Sequence, residues 1–135
     1  MSPHLSEANL LHELISRAAA RAPDDPAVSD GAGVWTYAQL RDAVHAFGAG
    51  LMWLGLQRSD RVGIWLEKRI ETVVASFGAP AAGGVMVPVN PLLKPEQVIY
   101  IARDCNVRVL VTSPERLSLL VPLLEQAPDL RHVVL

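Results

Sequence analysis

The sequence predicts an α/β fold in which a partial, doubly wound parallel sheet is flanked by helices. From Asp60 onward, short runs rich in β-branched residues alternate with helical apolar patterns, an order typical of a parallel sheet covered by helices. Half of the 135 residues are apolar, so the chain can bury a real core. Its length fits one domain rather than two.

The first part of the chain predicts two helices separated by a short hairpin. Ser6 is placed to cap the first helix, and the hairpin is indicated by DGAG between two short β-rich runs. Thr36 and Gln39 form a T-x-x-Q capping box, and Gly55 suits the residue just past the end of the second helix. The apolar positions are Leu11, Leu14, Ile15 and Ala18 in the first helix, and Leu40, Ala43, Val44, Phe47, Leu51 and Leu54 in the second.

The second part predicts buried strands joined by helices. The strands are expected at Arg61–Leu66, Val85–Val89, Val107–Thr112 and Arg131–Leu135. The helices are expected to start near Lys68, at Pro95 and at Ser113–Pro114. Pro80 lacks an N–H group, so the first of these helices should kink or end close to Ala79. Because the last strand has no helix after it, we expect the chain to be the first part of a larger fold.

The segment from Ala81 to Ile101, AAGGVMVPVNPLLKPEQVIYI, predicts a rigid connection from strand to helix. Gly83 and Gly84 precede a strand, whereas a phosphate-binding loop follows one, so they indicate close packing of helix on strand. Pro88 cannot donate to a sheet ladder, which predicts an edge strand or the end of the ladder. Pro91 then fixes the exit from the sheet.

Charge and composition exclude several classes of partner. With 12 basic and 14 acidic residues the net charge is −2, which gives no electrostatic reason to expect nucleic acid or an anionic membrane. His12, Glu13 and Arg17 interrupt the N-terminal apolar residues, so no signal peptide and no transmembrane segment are predicted. Cys105 is the only cysteine, which rules out an internal disulfide and fits a cytoplasmic location.

No side chains in the sequence form a catalytic, cofactor-binding or metal-binding set. Gly48-x-Gly50 lies inside a predicted helix, which is the wrong context for a dinucleotide loop. Cys105 shares an apolar helical face and is interpreted as a buried hydrophobe. The charges of Glu67–Glu71 follow a strand, but a solvated first helical turn explains them best. The histidines, which lie too far apart for a ligand set, are His4, His12, His45 and His132.

Several motifs nevertheless occur in an order that resembles a known family. They are Pro23 with Ala27-Val28, TYAQL (Thr36–Leu40), Gly55-Leu56, DRVGI (Asp60–Ile64), AAGGVMVPVNP (Ala81–Pro91), EQVIYI (Glu96–Ile101) and VLVT (Val109–Thr112). Together they resemble the N-terminal part of the adenylate-forming (AMP-binding) superfamily, which includes acyl-CoA synthetases, luciferases and peptide-synthetase adenylation domains. The segment PVNPLLKPEQ most resembles the acyl-CoA ligase branch, and within that branch the exosortase-associated ligases.

This resemblance implies the N-terminal part of an acyl-CoA synthetase-like fold and a two-step reaction. In the family, ATP activates a carboxylic acid as an acyl-adenylate, and the thiol of CoA or a carrier protein then takes the acyl group. ATP, Mg²⁺ and CoA are thus implied for the full-length enzyme. The family's phosphate loop and catalytic lysine would lie beyond Leu135, so this chain alone is expected to be inactive.

The resemblance also implies how the chain divides. Residues 1–57 would belong to a neighbouring subdomain completed by later chain, and residues 58–135 would begin the parallel-sheet subdomain. Without those partners, the apolar stripe of the second helix is expected to lie uncovered and to drive self-association. Two alternatives remain: a stand-alone flavodoxin-like binding or signalling domain, which would use Glu67–Glu71, and a non-catalytic interaction module that docks a partner on its unfinished sheet.

Overall fold

The computed structural model describes residues 10–135, so Ser6 and His4 lie outside the described residues. The helices are α1 (Glu13–Arg21), α2 (Tyr37–Trp53), α3 (Ile70–Ala81), α4 (Pro95–Asp104) and α5 (Pro114–Leu120), with a 3₁₀ helix at Val121–Gln126. The strands are β1 (Pro26–Asp30), β2 (Gly33–Thr36), β3 (Arg61–Ile64), β4 (Val85–Pro88), β5 (Val107–Val111) and β6 (His132–Val134).

The hairpin and helix α2 fold as their turn and cap residues predict. Strands β1 and β2 pair antiparallel as a separate hairpin. At the start of α2 the Thr36 hydroxyl accepts the Gln39 backbone N–H at 3.2 Å, and the Gln39 side chain accepts the Thr36 N–H at 2.9 Å. The predicted capping box is therefore confirmed. At the other end of α2, Gly55 has φ 93°, as predicted for the residue past a helix end.

The second part contains the predicted parallel sheet, in the order β4-β3-β5-β6. Strand β4 is an edge strand and Pro88 is its last residue, so the missing N–H of the proline interrupts no ladder. Strand β3 ends at Ile64, sooner than predicted, although the Trp65 N–H still bonds to the Val111 carbonyl at 2.9 Å.

Helices cover both faces of this sheet, which confirms the doubly wound α/β class. On one face, Leu110 packs with the buried side of α4 at Val98 and Ile99. On the other face, Val109 and Val111 pack with Leu51 of α2 and with α3.

Helix α2 corrects one expectation, because its apolar stripe is covered. Leu40, Val44 and Leu51 are each at most 2% exposed. They lie against the hairpin, α3 and the sheet, so residues 37–53 share a core with the parallel-sheet part of the chain. The prediction that this stripe is uncovered was wrong, and the argument from it to self-association fails.

The predicted apolar face of α1 is partly wrong, although Ile15 is buried as predicted. Leu11 and Leu14 are exposed, and the side chains that α1 buries are Ile15 and Ala19. The helix begins only at Glu13, so Leu11 precedes it and cannot extend its buried face. No helix within residues 10–135 combines the length and the apolar character that crossing a membrane requires.

Helix α3 begins later than predicted, but it ends close to Ala79 as predicted. It starts at Ile70, and its end at Ala81 lies beyond Pro80. The Gly84 N–H bonds to the Ala79 carbonyl and the Gly83 N–H to the Pro80 carbonyl, each at 2.9 Å, which is the Schellman pattern. Gly83 supplies the required positive φ of 82°.

Close packing of helix on strand at Gly84 is confirmed. A Cβ atom there would lie 3.1 Å from the Ala79 carbonyl oxygen and 3.1 Å from the Asp60 carbonyl oxygen. Gly84 therefore brings the end of α3 against the start of β3, and only the short turn at residues 82–84 separates α3 from β4.

Candidate functional site

The carboxyl ends of β3, β4 and β5 meet at one edge of the sheet, hereafter the carboxyl edge. Ligands of open α/β sheets bind in the crevice outside this edge. The loops that form it are residues 65–69 after β3, 89–94 after β4 and 112–113 after β5. The carboxyl edge is therefore the candidate functional site on fold grounds.

Arg116, in the first turn of α5, joins these loops. Its guanidinium lies over the Trp65 ring, 4.8 Å from the ring centroid. Its Nη1 donates to the Pro91 carbonyl at 3.0 Å, and its Nη2 lies 3.4 Å from Glu67 Oε2. One side chain thus contacts the β3–α3 loop by stacking and by charge and the β4–α4 loop by a hydrogen bond.

Two polar side chains after β5 support this arrangement. The buried Thr112 hydroxyl donates to the Trp65 carbonyl at 2.8 Å, which ties the ends of β3 and β5 together. Ser113 caps α5, because its hydroxyl accepts the Arg116 backbone N–H at 3.3 Å. The cap fixes where α5 begins and so aims Arg116 across the edge.

The charged segment Glu67–Glu71 lies partly in the loop before α3, so its assignment to a first helical turn holds for Glu71 but is wrong for residues 67–69. Arg69 is the N-cap position, and its guanidinium pairs with Glu67 at 3.3 Å and with Glu71 at 3.6 Å. A hydrogen bond from its own backbone lowers the pKa of Glu67, and Arg69 and Arg116 lower it further. These pairs are partly exposed, and they neutralise one another rather than leaving charge for a ligand.

A slot of about 260 Å³ opens beside these ion pairs, between the ends of β3 and β4 and helix α3. Its walls are largely apolar, from Ile64, Leu66 and Val89, and Lys68 lies at its border. The Thr72 hydroxyl, also in the wall, donates to the Glu67 carbonyl at 2.7 Å. The carboxyl edge can thus hold a small apolar group next to a cation, but it brings together no nucleophile with a base.

The other singled-out residues do not gather at this edge. His45 lies on α2, with Nε2 3.4 Å from the Ser16 hydroxyl, while His12 precedes α1 and His132 is exposed in β6. Cys105 is only half-buried at the end of α4, so the interpretation as a fully buried hydrophobe is partly wrong. Within residues 10–135, no three His, Cys, Asp or Glu side chains lie close enough to hold a metal ion.

Sequence reasoning missed the pairing of Trp65 with Arg116. Each had a visible signal, a tryptophan ending a strand and an arginine in a capped first helical turn. Neither signal alone specifies contact between residues in separate βα units, because contact depends on the strand order.

Comparisons with known proteins agree on one family. The family described as "AMP-binding enzyme" matches residues 15–135. The long-chain-fatty-acid–CoA ligase of Bacillus subtilis (strain 168) is 34% identical over 112 residues, which are 83% of this chain and 19% of that protein. Syringomycin synthase SyrB1 of Pseudomonas syringae pv. syringae is 34% identical over 110 residues, 82% of this chain and 18% of that protein.

Among solved structures, the anthranilate CoA ligase AuaEII in complex with anthranoyl-AMP superposes with a TM-score of 0.88 at 28% identity. The match covers 92% of this chain and 24% of that one. This chain therefore spans about a fifth to a quarter of the length of each of these three relatives.

Proposed function

This chain belongs to the AMP-binding enzyme family, and from that premise we propose that it is the N-terminal part of an AMP-forming acyl-CoA ligase. The longer enzyme would activate a carboxylic acid with ATP as an acyl-adenylate and then transfer the acyl group to a thiol. The observation that carries the proposal is the superposition on an anthranilate CoA ligase, with a TM-score of 0.88 over 92% of this chain. The match of 34% identity to a long-chain-fatty-acid–CoA ligase supports it.

The proposed acceptor is CoA rather than a carrier protein. Relatives of similar identity include both a CoA ligase and a syringomycin synthase, so sequence identity alone does not separate the two acceptors. The superposed structure is a CoA ligase, and the motif PVNPLLKPEQ resembles the same branch. A carrier-protein thiol is the second candidate, supported by the synthase relative. The narrower resemblance to exosortase-associated ligases stays a prediction.

ATP and Mg²⁺ are implied by the family, but the residues described here do not fit them. A magnesium site needs oxygen ligands, mostly carboxylates, and no cluster of three acidic or other ligating side chains exists within residues 10–135. The acidic side chain of the carboxyl edge, Glu67, is engaged with Arg69 and Arg116. We therefore propose no catalytic step by this chain and expect the isolated chain to be inactive.

In this proposal the chain contributes one wall of the site at the carboxyl edge and keeps that wall rigid. Arg116, Trp65 and Thr112 hold the carboxyl-edge loops in fixed relation. The proposed division keeps residues 58–135 as the start of the sheet subdomain and residues 1–57 as part of a neighbouring one, with α2 packed across the boundary onto the sheet. The strongly exposed Trp53 on the outer side of α2 supports a further packing surface there. We propose a cytoplasmic enzyme, consistent with its single cysteine.

The proposal is tested on the reading frame that encodes this chain. We expect the frame to continue into a Ser/Thr/Gly-rich loop followed by lysine, and its full product to form acyl-CoA from a carboxylic acid, ATP and CoA. Formation can be followed by mass spectrometry across fatty and aryl acids. Transfer to a pantetheine-bearing carrier protein but not to CoA would favour the second candidate. A reading frame that ends with this chain would overturn the proposal.

A further inference from the structure

The amino ends of the parallel strands form a second edge, opposite the carboxyl edge, and it carries a cluster of basic residues. Arg61 begins β3, Arg108 lies near the start of β5, and Arg131 and His132 lie at the start of β6. This cluster is positively charged, whereas the net charge of the whole chain is −2. None of these residues takes part in the proposed acyl transfer.

A cleft of about 340 Å³ opens at this edge, between the end of α2 and the starts of β5 and β6. Its volume lies in the range of about 300–1,000 Å³ that is typical of small-molecule sites. Arg108, Arg131, His132 and Gln57 line it, and Leu54 and Leu56 contribute apolar residues to the lining.

The backbone fixes the two arginines side by side. The Arg131 N–H donates to the Arg108 carbonyl at 2.8 Å, next to the parallel pairing of Val109 with His132. Like charges on neighbouring strands repel each other unless an opposite charge lies between them. Arg131 has no ion-pair partner within the described residues, and Arg108 has only a 3.6 Å contact to Asp129.

The one acidic side chain in the lining does not neutralise this pair. Asp60 turns an oxygen to the backbone, where Oδ2 accepts the Gln57 N–H at 2.8 Å. Beside this engaged aspartate, the residues of the lining that can bind an anion are two arginines and a histidine. The guanidinium group of an arginine presents two parallel N–H donors, and their spacing matches two oxygens of a phosphate group. A phosphate can therefore accept a pair of hydrogen bonds from each arginine.

We propose that this amino-edge cleft binds a phosphate-type oxyanion between Arg108 and Arg131. The anion relieves the repulsion between the two side chains and receives hydrogen bonds from both. The site is distinct from the carboxyl edge and is independent of the proposed acyl transfer.

The test is an amide NMR titration of the chain with inorganic phosphate, against sodium chloride at matched ionic strength. We expect saturable shifts centred on Gly55, Gln57 and His132 with phosphate alone, and at least a tenfold weaker affinity in Arg131→Gln and in Arg108→Gln. Arg131 is exposed, so its replacement leaves the core intact. Arg41→Gln, far away at the start of α2, is the matched control and should bind as the wild type does.

The opposite results would overturn the proposal. They are the absence of saturable shifts, equal shifts with chloride, or unchanged affinity in Arg131→Gln with the fold intact. None of these results bears on acyl-CoA formation by the longer product, so the two proposals fail separately.

Discussion

Gly48 and Gly78 face each other where α2 crosses α3. A Cβ atom on Gly48 would lie 3.2 Å from the Gly78 carbonyl oxygen, and one on Gly78 would lie 2.5 Å from Cδ1 of Phe47. Both positions are buried. The two helices approach so closely only because neither residue has a side chain, and this contact joins the first part of the chain to the sheet.

We expect Gly78→Ala to destabilise the chain by about 1–3 kcal/mol, because the added methyl group must displace the Phe47 ring in a packed interface. Gly50→Ala is the matched control, since Gly50 lies in α2, the helix that crosses α3 at Gly78, and a Cβ there meets nothing within 4 Å. That variant should be stabilised by up to about 1 kcal/mol through helix propensity. Urea unfolding of the three proteins measures both effects. Equal stability of Gly78→Ala and the wild type would show that the crossing is not tight.

Arg116 provides a second prediction. Arg116→Ala removes the stack on Trp65 and the bond to the Pro91 carbonyl, so we expect a loss of about 1–2 kcal/mol. Arg116→Lys keeps the charge but loses the planar stack and should recover only part of the loss. Arg103→Ala is the control, because Arg103 is exposed and lies 5.6 Å from the Tyr100 ring centroid. Thermal melts compare them, and a loss in Arg103→Ala as large as in Arg116→Ala would contradict a specific role.

Asp30 links the hairpin to α3, because its Oδ2 accepts the Ile70 N–H at 3.0 Å and its Oδ1 the Ala32 N–H at 2.8 Å. The bond from Ile70, then that from Ala32, lowers the pKa of this carboxyl below its ordinary value. The ionised form is therefore favoured in the folded chain. Its contribution is fully present above the unfolded pKa and is lost as pH falls through the lower folded pKa.

We therefore expect Asp30→Ala to reduce stability at neutral pH and to lose less stability than the wild type on acidification below about pH 4. Asp42→Ala is the control, because Asp42 is highly exposed and pairs only with its neighbour Arg41 among the described residues. Urea melts between pH 7 and pH 3 give the comparison. Parallel pH curves for Asp30→Ala and the wild type would exclude this carboxylate as a pH-dependent link.

Self-association of the chain stays a prediction, but its expected surface changes. The buried side of α2 is covered, whereas Trp53 on its outer side is 86% exposed and Met52 is 61% exposed. If the chain dimerises, Trp53→Gln should shift it toward the monomer, because an exposed tryptophan is a strong interface anchor. Leu92→Gln, 88% exposed on the β4–α4 loop, is the control. Light scattering at several concentrations decides, and equal effects of the two variants would place the interface elsewhere.

Local signals predicted much of the fold. The Thr36–Gln39 box, Pro88 at the edge of the sheet and Gly83 past α3 each act within a few residues, so their positions follow from backbone chemistry. The covering of the α2 stripe was missed because it depends on a crossing with α3 at Gly48 and Gly78. The sequence showed both glycines but not that they meet.

The candidate site was harder to predict than the fold. Arg116, Trp65 and Pro91 belong to three different loops, and only the strand order brings them together. The amino-edge cleft has the same origin, since Arg108 and Arg131 become neighbours through the pairing of β5 with β6. The net charge of −2 is a sum over the whole chain, so it gives no sign of a local cluster of basic residues such as the one at the amino edge.

The central claim is that this chain is the non-catalytic N-terminal part of an adenylate-forming ligase. Exchange of labelled pyrophosphate into ATP, with a panel of fatty and aryl acids, tests it most directly. The account predicts no exchange above blank by the isolated chain, and acid-dependent exchange by the full product of its reading frame. Exchange by the isolated chain that persists through repurification would contradict the account.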